Sequence, residues 1–411
     1  MNLLVLSDNF PPESNAPAVR TFEHSKILVN KSMNVTVITC NPNFPNGKIH
    51  KGYKNSFFTK EVLEGINVIR VWTFLAENKG FFLRIFDQMS FLFSSFFASF
   101  RVNKTDIIFA TSPQFFCALA GYIISKIKGK PWILEIRDLY PESLLAVGLI
   151  RESSLIYKLL KKIEIGLYKD ANHIITVTES FKEEMIKQGI NPNKISVLLN
   201  GIDKEFKSKC KDPVDKFNLG YNKDDFIVGY IGTIGMSHSI ETIVKAAKLF
   251  EKEEEFKNLK FLLMGSGAQK KYISKLIDES KCSNISLYDS VPREDVPSYL
   301  SILNLSIIHL KKSDSFKKVI PSKIFESIAA EVPILHGVEG ESANIVNKYC
   351  LGETFEPENH KDLFKKIKSL RADKSKLQNF KTNCKMNSKI FERSAIVSEL
   401  ESIINKVVNE K

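Results

Sequence analysis

The sequence predicts an α/β protein of two doubly wound domains, each a parallel sheet covered by helices on both faces. Short β-branched runs alternate with helical patterns along the whole chain, as stacked strand–helix units require. The alternation stops at a polar, lysine-rich stretch between Asn200 and Asp225 and then starts again. The length of 411 residues exceeds what one ordinary core organises and suits two.

In the first half, the apolar run Leu3-Leu4-Val5-Leu6 makes residues 3–7 a strand, and helical spacing follows over 19–29. Strands are predicted at 35–39 and 68–72, then a phenylalanine-rich helix at 81–100. Strand 107–110, helix 115–127, strand 132–136, helix 155–168 and strands 173–177 and 195–199 complete this half. The second half begins with strand 226–231 and continues through strands 261–264, 305–309 and 334–335. The turn sequence Asn200-Gly201-Ile202-Asp203 marks the crossing, so the domains are expected at 1–203 and 204–387. A last helix, 388–411, has enough length to pack back on the first domain.

With 43% hydrophobic and 26% charged residues, the composition excludes a disordered tail or a membrane bundle. Cys40, Cys117, Cys210, Cys282, Cys350 and Cys384 are widely spaced without a metal-type pair, which implies reduced, cytosolic thiols. The chain enters its first strand without the pattern of a signal peptide, so an intracellular protein is expected. The net charge of +12 suits an anionic surface, nucleic acid or lipid, though lysines spread through both halves equally describe a generic basic surface. Segment 81–100 carries Arg84, Asp87 and Gln88, which leaves too short an uncharged run to span a bilayer. It reads either as a membrane-surface helix or as a core helix with Phe82, Ile85, Phe86 and Met89 inward.

The segment from Ile320 to Ala330 is the most informative. Pro321 and Ser322 open a helix whose free amides and positive dipole favour a phosphate. Ser322 and Glu326, four apart, share a face one turn from each other. A diphosphate at the tip, a ribose on Glu326 and charge neutralisation by Lys323 fit that spacing. An exposed Lys–Glu pair on an ordinary helix fits it too. A second candidate group follows strand 132–136, at the carboxyl end where open sheets place ligands. There Asp138 suits orienting or deprotonating an acceptor hydroxyl, while Arg137 either touches a donor phosphate or fixes Asp138; a structural Arg–Asp pair is the alternative.

The stretch 320–334 resembles the donor-binding helix of glycosyltransferase family 4. Further matches occur in the family's order: Phe10-Pro11-Pro12-Glu13 with Arg20, Glu135-Ile136-Arg137-Asp138-Leu139-Tyr140-Pro141-Glu142, Leu199-Asn200-Gly201-Ile202-Asp203, Gly229-Tyr230-Ile231-Gly232-Thr233, Met264-Gly265-Ser266-Gly267, and Val291 to Pro297. The resemblance implies a GT-B fold, two Rossmann-like domains facing across a cleft, with the acceptor on the first and the nucleotide sugar on the second. It also implies donor approach at Gly232, Gly265 and Gly267, where glycine removes the side-chain barrier; two tight strand-to-helix turns are the plainer reading. Arg293 falls near the nucleotide base by this likeness, or else pairs with the helix that Glu294 and Asp295 begin. Glu13, Arg20 and Glu142 fall on the acceptor side. The segment 137–142 resembles the subgroup that transfers N-acetylated amino or deoxy sugars, such as N-acetyl-L-fucosamine, into bacterial surface polysaccharides.

Two departures accompany the likeness. The family's first carboxylate of a pair falls on Lys318, and its phosphate-binding arginine and lysine fall on Thr233 and His238. Lys323, Lys318 or Lys317 must then offset the diphosphate. The expected activity is retaining transfer of a sugar from a nucleoside diphosphate, UDP by the subgroup likeness, to a hydroxyl of a lipid-linked saccharide in O-antigen or capsule synthesis. It would occur at the inner face of the cytoplasmic membrane, peripherally bound, with no metal, for lack of an Asp-x-Asp motif, and no nucleic acid partner. A sugar-nucleotide epimerase and a non-catalytic partner subunit share the architecture and stay open. A nicotinamide enzyme does not fit the spacing of Gly229, Gly232 and Gly235.

Overall fold

A computed structural model describes the chain apart from residues 14, 45–46, 76–80, 113, 147–148, 203 and 411, and apart from the side chains at 81, 82, 84 and 146. Its contacts divide it into two units, Met1–Leu199 with Arg393–Lys411, and Asn200–Glu392. The chain therefore leaves the first unit after Leu199 and returns after Glu392. Asp203, where the sequence places the boundary, lies outside the described residues.

The first unit is built on eight strands: β1 (Asn2–Leu6), β2 (Asn34–Cys40), β3 (Phe58–Leu63), β4 (Ile66–Val71), β5 (Ile107–Thr111), β6 (Trp132–Ile136), β7 (His173–Thr176) and β8 (Ile195–Val197). They lie in the order β3-β4-β2-β1-β5-β6-β7-β8. Alternate residues serve opposite cores, because successive strand side chains point to opposite faces. Leu3 and Val5 join Val35, Val37, Ile107 and Phe109 on one side. Leu4 and Leu6 join Ile38, Ile108, Ala110 and Leu134 on the other. The final helix, Arg393–Asn409, covers the first of these faces with Ile396, Val397, Leu400, Ile403, Ile404 and Val407, an apolar stripe at helical spacing. The pair Lys31–Glu401, 2.6 Å apart, ties it at the surface to the helix Ala16–Asn30.

The parallel sheet expected from the sequence carries one antiparallel member, since β3 pairs antiparallel with β4. A two-residue turn at Glu64 and Gly65 joins them, with φ of 50° and 79°. That left-handed geometry matches the twist of a hairpin. The second unit is parallel throughout its described pairings. Its strands are β9 (Phe226–Ile231), β10 (Leu259–Met264), β11 (Ile285–Tyr288), β12 (Leu305–His309), β13 (Ile334–Gly337) and β14 (Gly352–Thr354), in the order β11-β10-β9-β12-β13-β14. Strand order reverses between β1 and β5 in the first unit and between β9 and β12 in the second. Such reversals open a crevice beyond the carboxyl ends of the strands, where ligands bind.

Among the described residues no helix is long and apolar enough to cross a membrane. The helix Phe81–Ser99 buries Phe91, Ser95 and Ala98 and turns Phe86, Phe93 and Phe97 to solvent, at 60%, 56% and 67% exposure. Phe86 is therefore not on the inner face that a core-helix reading assigns it, and the side chain of Phe82 lies outside the described residues.

Candidate active site

In the second unit, the turn after β9 brings four of the expected residues together. Gly232 has φ of 144°, and a Cβ there would fall on the ammonium end of Lys323. Lys323 opens the short helix Lys323–Ala329 with Ser322 as its cap, and its Nζ donates to the Tyr230 hydroxyl at 2.8 Å. Tyr230 in turn donates to the Thr233 carbonyl at 2.6 Å. Protein packed around the amine lowers Lys323 to about 8, against the opposing pull of Glu326. A lysine so placed holds its charge weakly and gains from an incoming anion. Glu326, one turn along the same helix, is half-buried, and its carboxylate has no hydrogen bond or ion pair among the described residues. Pro321 is half-buried and Ser322 exposed.

His238 ends the same loop, edge-on to Tyr230 with ring centroids 6.3 Å apart. Burial, followed by the nearby Lys323 charge, lowers it to about 4, so it is a neutral hydrogen-bonding ring at ordinary pH. Its carbonyl accepts from Nδ1 of His309 at 2.9 Å, while Nε2 of His309 accepts from the Glu358 amide at 2.9 Å. Those two bonds fix His309 as a neutral strut under the loop. Gly265 and Gly267 approach protein backbone. A Cβ on Gly265 would strike the Gly232 carbonyl, and one on Gly267 the Ile234 carbonyl. The amide of Gly232 donates to Met264 and that of Ile234 to Ser266, at 2.8 and 2.9 Å. These glycines thus let the two turns lie against each other, which sets the position of Gly232. Lys317 is engaged with Asp314 at 2.8 Å and Glu339 at 3.5 Å. Arg293, in the turn before the helix Val296–Leu300, is half-buried and has no hydrogen bond or ion pair among the described residues.

In the first unit the expected carboxylates are mostly engaged inside the protein. Glu13 is 3% exposed, and its oxygens accept from Asn9 at 3.0 Å and from the amides of Asn43 and Phe44, both at 2.8 Å. Arg20 is 1% exposed. Its Nε meets Glu135 at 3.0 Å, and Nη1 and Nη2 donate to the carbonyls of Leu199 and Leu198 at 2.8 and 2.9 Å. Burial opposes ionisation of Glu135, but Arg20 and Arg137 outweigh it and hold the carboxyl below its ordinary range. Glu142 pairs with Lys161 at 2.6 Å, and Lys161 also meets Glu164 at 2.6 Å. Glu13, Arg20 and Glu135 thus shape the loops beyond β1 and β6, while Glu142 keeps Oε2 enclosed and without a hydrogen-bond partner among the described residues.

Two further expected residues stand at the end of β6. Asp138 is solvent-exposed as a residue, yet the protein around its carboxyl withdraws enough water to raise it to about 6, aided by Glu142. Arg137 is half-buried, with its amide donating to Ser112 Oγ at 3.1 Å. Elsewhere in this unit an apolar groove of about 1170 Å³ runs between the β3–β4 hairpin and the helix Phe81–Ser99. Phe57, Trp72, Phe74, Phe86, Phe93 and Phe97 line it, with Phe57 stacked on Trp72. No group of three or more His, Cys, Asp or Glu among the described residues is arranged to hold a metal ion.

Sequence reasoning missed Tyr230 and His309. Tyr230 is a polar-tipped residue in an otherwise apolar buried strand two positions before a glycine turn, and that was a usable signal. For His309 only its place at the carboxyl end of β12 hinted at a role.

Two doubly wound parallel-sheet units in succession, with their candidate groups at the carboxyl ends of the strands, define the GT-B class. Sucrose-phosphate synthase from Thermosynechococcus elongatus superposes over all of both chains with a TM-score of 0.73 at 15% identity. Anabaena HepE, solved in complex with UDP, matches 99% of this chain and 100% of its own with a TM-score of 0.69 at 14% identity. Residues 18–206 match the family described as Glycosyltransferase Family 4, and residues 211–386 match Glycosyl transferases group 1. The probable glycosyltransferase WbjE of Pseudomonas aeruginosa is 23% identical over 64% of this chain and 65% of its own length, so the chain spans just under two thirds of that relative. The putative colanic acid biosynthesis glycosyl transferase WcaI of Escherichia coli is 24% identical over 80% of this chain and 81% of its own. The chain is a glycosyltransferase of the family 4/group 1 type with the GT-B fold.

Proposed function

We propose that the protein transfers a sugar from a nucleoside diphosphate, UDP in the first instance, to a hydroxyl of a lipid-linked saccharide in bacterial surface polysaccharide synthesis, with retained anomeric configuration. The observation that carries this reading is Lys323, an enclosed ammonium held by Tyr230 against the Gly232 turn, with the unengaged Glu326 one turn further along. In this reading Lys323 meets the diphosphate and Glu326 the ribose hydroxyls. Gly232, Thr233 and the neutral ring of His238 shape the donor site, with Arg293 toward the base. The bond from the anomeric carbon to the diphosphate oxygen breaks as the acceptor oxygen bonds to the same face of that carbon. Asp138 orients the acceptor hydroxyl, and its proton passes to the departing diphosphate. Lys323 offsets the charge that develops there, which is where preorganised electrostatics lower a barrier.

HepE is solved in complex with UDP, and WcaI is a putative colanic acid biosynthesis glycosyl transferase; both support this reading. An amino or deoxy sugar is the donor class suggested by the segment 137–142. The groove of exposed aromatics and the +12 charge suit a hydrocarbon chain and an anionic lipid surface. A screen of nucleoside diphosphates by thermal shift tests the donor, because a ligand that binds the native state raises its apparent stability. UDP is expected to give the largest shift, and Glu326→Ala to abolish turnover of the UDP-sugar into product. A shift with no diphosphate, or turnover unchanged in the variant, defeats the reading; conversion of the sugar nucleotide without any acceptor would show an epimerase.

A further inference from the structure

Arg137 stands at the carboxyl end of β6 with two guanidinium nitrogens that no acceptor meets among the described residues. Although the residue as a whole is half-buried, Nε and Nη1 are both closed off from solvent and meet no acceptor among the described residues. Glu135 is the carboxylate that acts on it, but both Glu135 oxygens are already engaged, Oε1 by Arg20 at 3.0 Å and Oε2 by the Thr111 hydroxyl at 2.6 Å. Two further guanidiniums, Arg20 and Arg393, act on Arg137 with like charge. His24, one turn after Arg20, also has an enclosed Nε2 without a partner. Burial, reinforced by Arg20, Arg393 and Arg137, keeps that ring neutral and unable to supply a counter-charge.

Each enclosed donor left without an acceptor costs about 1–3 kcal/mol, and more when the group is charged. A buried ion is tolerated where it is paired. What this corner lacks is an acceptor bonded to the Arg137 fork, and a guanidinium's donors match phosphate or carboxylate oxygens in pairs. The position is also that of a ligand, since β5 and β6 end here beside the reversal in strand order. Asp138 follows directly in sequence. The second unit has in Lys323 its own cation suited to a donor diphosphate.

We propose that Arg137 receives an oxyanion, phosphate or carboxylate, carried by the acceptor close to the hydroxyl that is glycosylated. The proposal rests on the glycosyl-transfer reading above and narrows its acceptor to an acidic saccharide, or to a sugar whose linking phosphate adjoins the attacked ring. A neutral acceptor leaves the guanidinium unsatisfied.

The test titrates inorganic phosphate and glucuronate against the full-length protein by thermal shift, in a low-chloride buffer with saturating UDP, for wild type, Arg137→Gln and Arg137→Lys. UDP occupies donor phosphate ligands, so a remaining response reports a second anion site. One of the two anions is expected to stabilise wild type saturably, at least tenfold more weakly in Arg137→Gln and to an intermediate degree in Arg137→Lys. Without anion, Arg137→Gln should melt close to wild type, because removing enclosed donors that meet no acceptor offsets the favourable charge that Glu135 loses beside it. Equal responses in wild type and Arg137→Gln overturn the proposal, as does a response that UDP abolishes, which would assign the anion to the donor. An anion-free Arg137→Gln that melts much lower and responds to neither anion marks a merely structural guanidinium and overturns it too. Failure of UDP-sugar turnover removes the glycosyl-transfer reading separately, while the two titrations still decide whether Arg137 holds an oxyanion.

Discussion

In the first unit Arg20 is locked to Glu135 at 3.0 Å and to two main-chain carbonyls, whereas in the second Lys323 faces a tyrosine hydroxyl and a glycine turn with no carboxylate bonded to it. Both cations lie beyond the carboxyl ends of a parallel sheet. The fully paired one holds loops in place. The one kept short of partners, with its charge made labile by enclosure, is the one to which the proposed reaction gives the donor diphosphate. Position in the fold therefore does not separate structural from functional charge; the state of its partners does.

The largest effect expected is on the paired cation. Arg20→Ala removes the cation bonded to buried Glu135, leaving it the Thr111 hydroxyl and the nearby Arg137 charge, and should cost about 3 kcal/mol, read as a lower midpoint of urea unfolding. If the midpoint does not move, the contrast between the two cations fails. Lys323→Ala should leave the unfolding midpoint nearly unchanged and lower kcat by about 10²–10³, or roughly 2.7–4 kcal/mol of transition-state stabilisation. Equal losses of stability and activity there would make Lys323 structural.

Smaller effects follow from pH. The proposed reaction needs Asp138 ionised, which requires a pH above about 6, and Lys323 charged, which requires a pH below about 8. The profile of kcat/KM should be a bell between those limbs, falling about tenfold per pH unit outside each. Asp138→Asn should remove the acid limb. A bound diphosphate favours charged Lys323, so the alkaline limb of kcat should lie above that of kcat/KM. Smallest is the surface effect, in which Phe86→Ser with Phe93→Ser and Phe97→Ser lowers binding to anionic liposomes and leaves turnover of a water-soluble acceptor unchanged.

The fold was largely legible where strands are continuous buried runs. Residues 132–136, 226–231 and 305–309 read as strands and are strands, because both faces of a covered parallel sheet demand apolar side chains. The edge strand β3 was not legible, since Phe58-Thr59-Lys60-Glu61 faces water and pairs on one side only. The final helix starts at Arg393, later than residue 388, because the preceding helix runs to Asn387 and a turn separates the two. At the site, the proline–serine start made Lys323 and Glu326 conspicuous. The hydroxyl that holds Lys323 comes from 93 residues away along the chain, which no local pattern reveals. For the same reason the internal bonds of Glu13 and Glu142 were not legible: their partners Asn43, Phe44 and Lys161 come from neighbouring loops and helices.

A crystal structure with UDP bound tests the central claim most directly. The diphosphate is expected within hydrogen-bond distance of Lys323 Nζ, and the ribose hydroxyls on the Glu326 carboxylate. UDP bound elsewhere, with Lys323 still donating to Tyr230 and Glu326 unengaged, would contradict it.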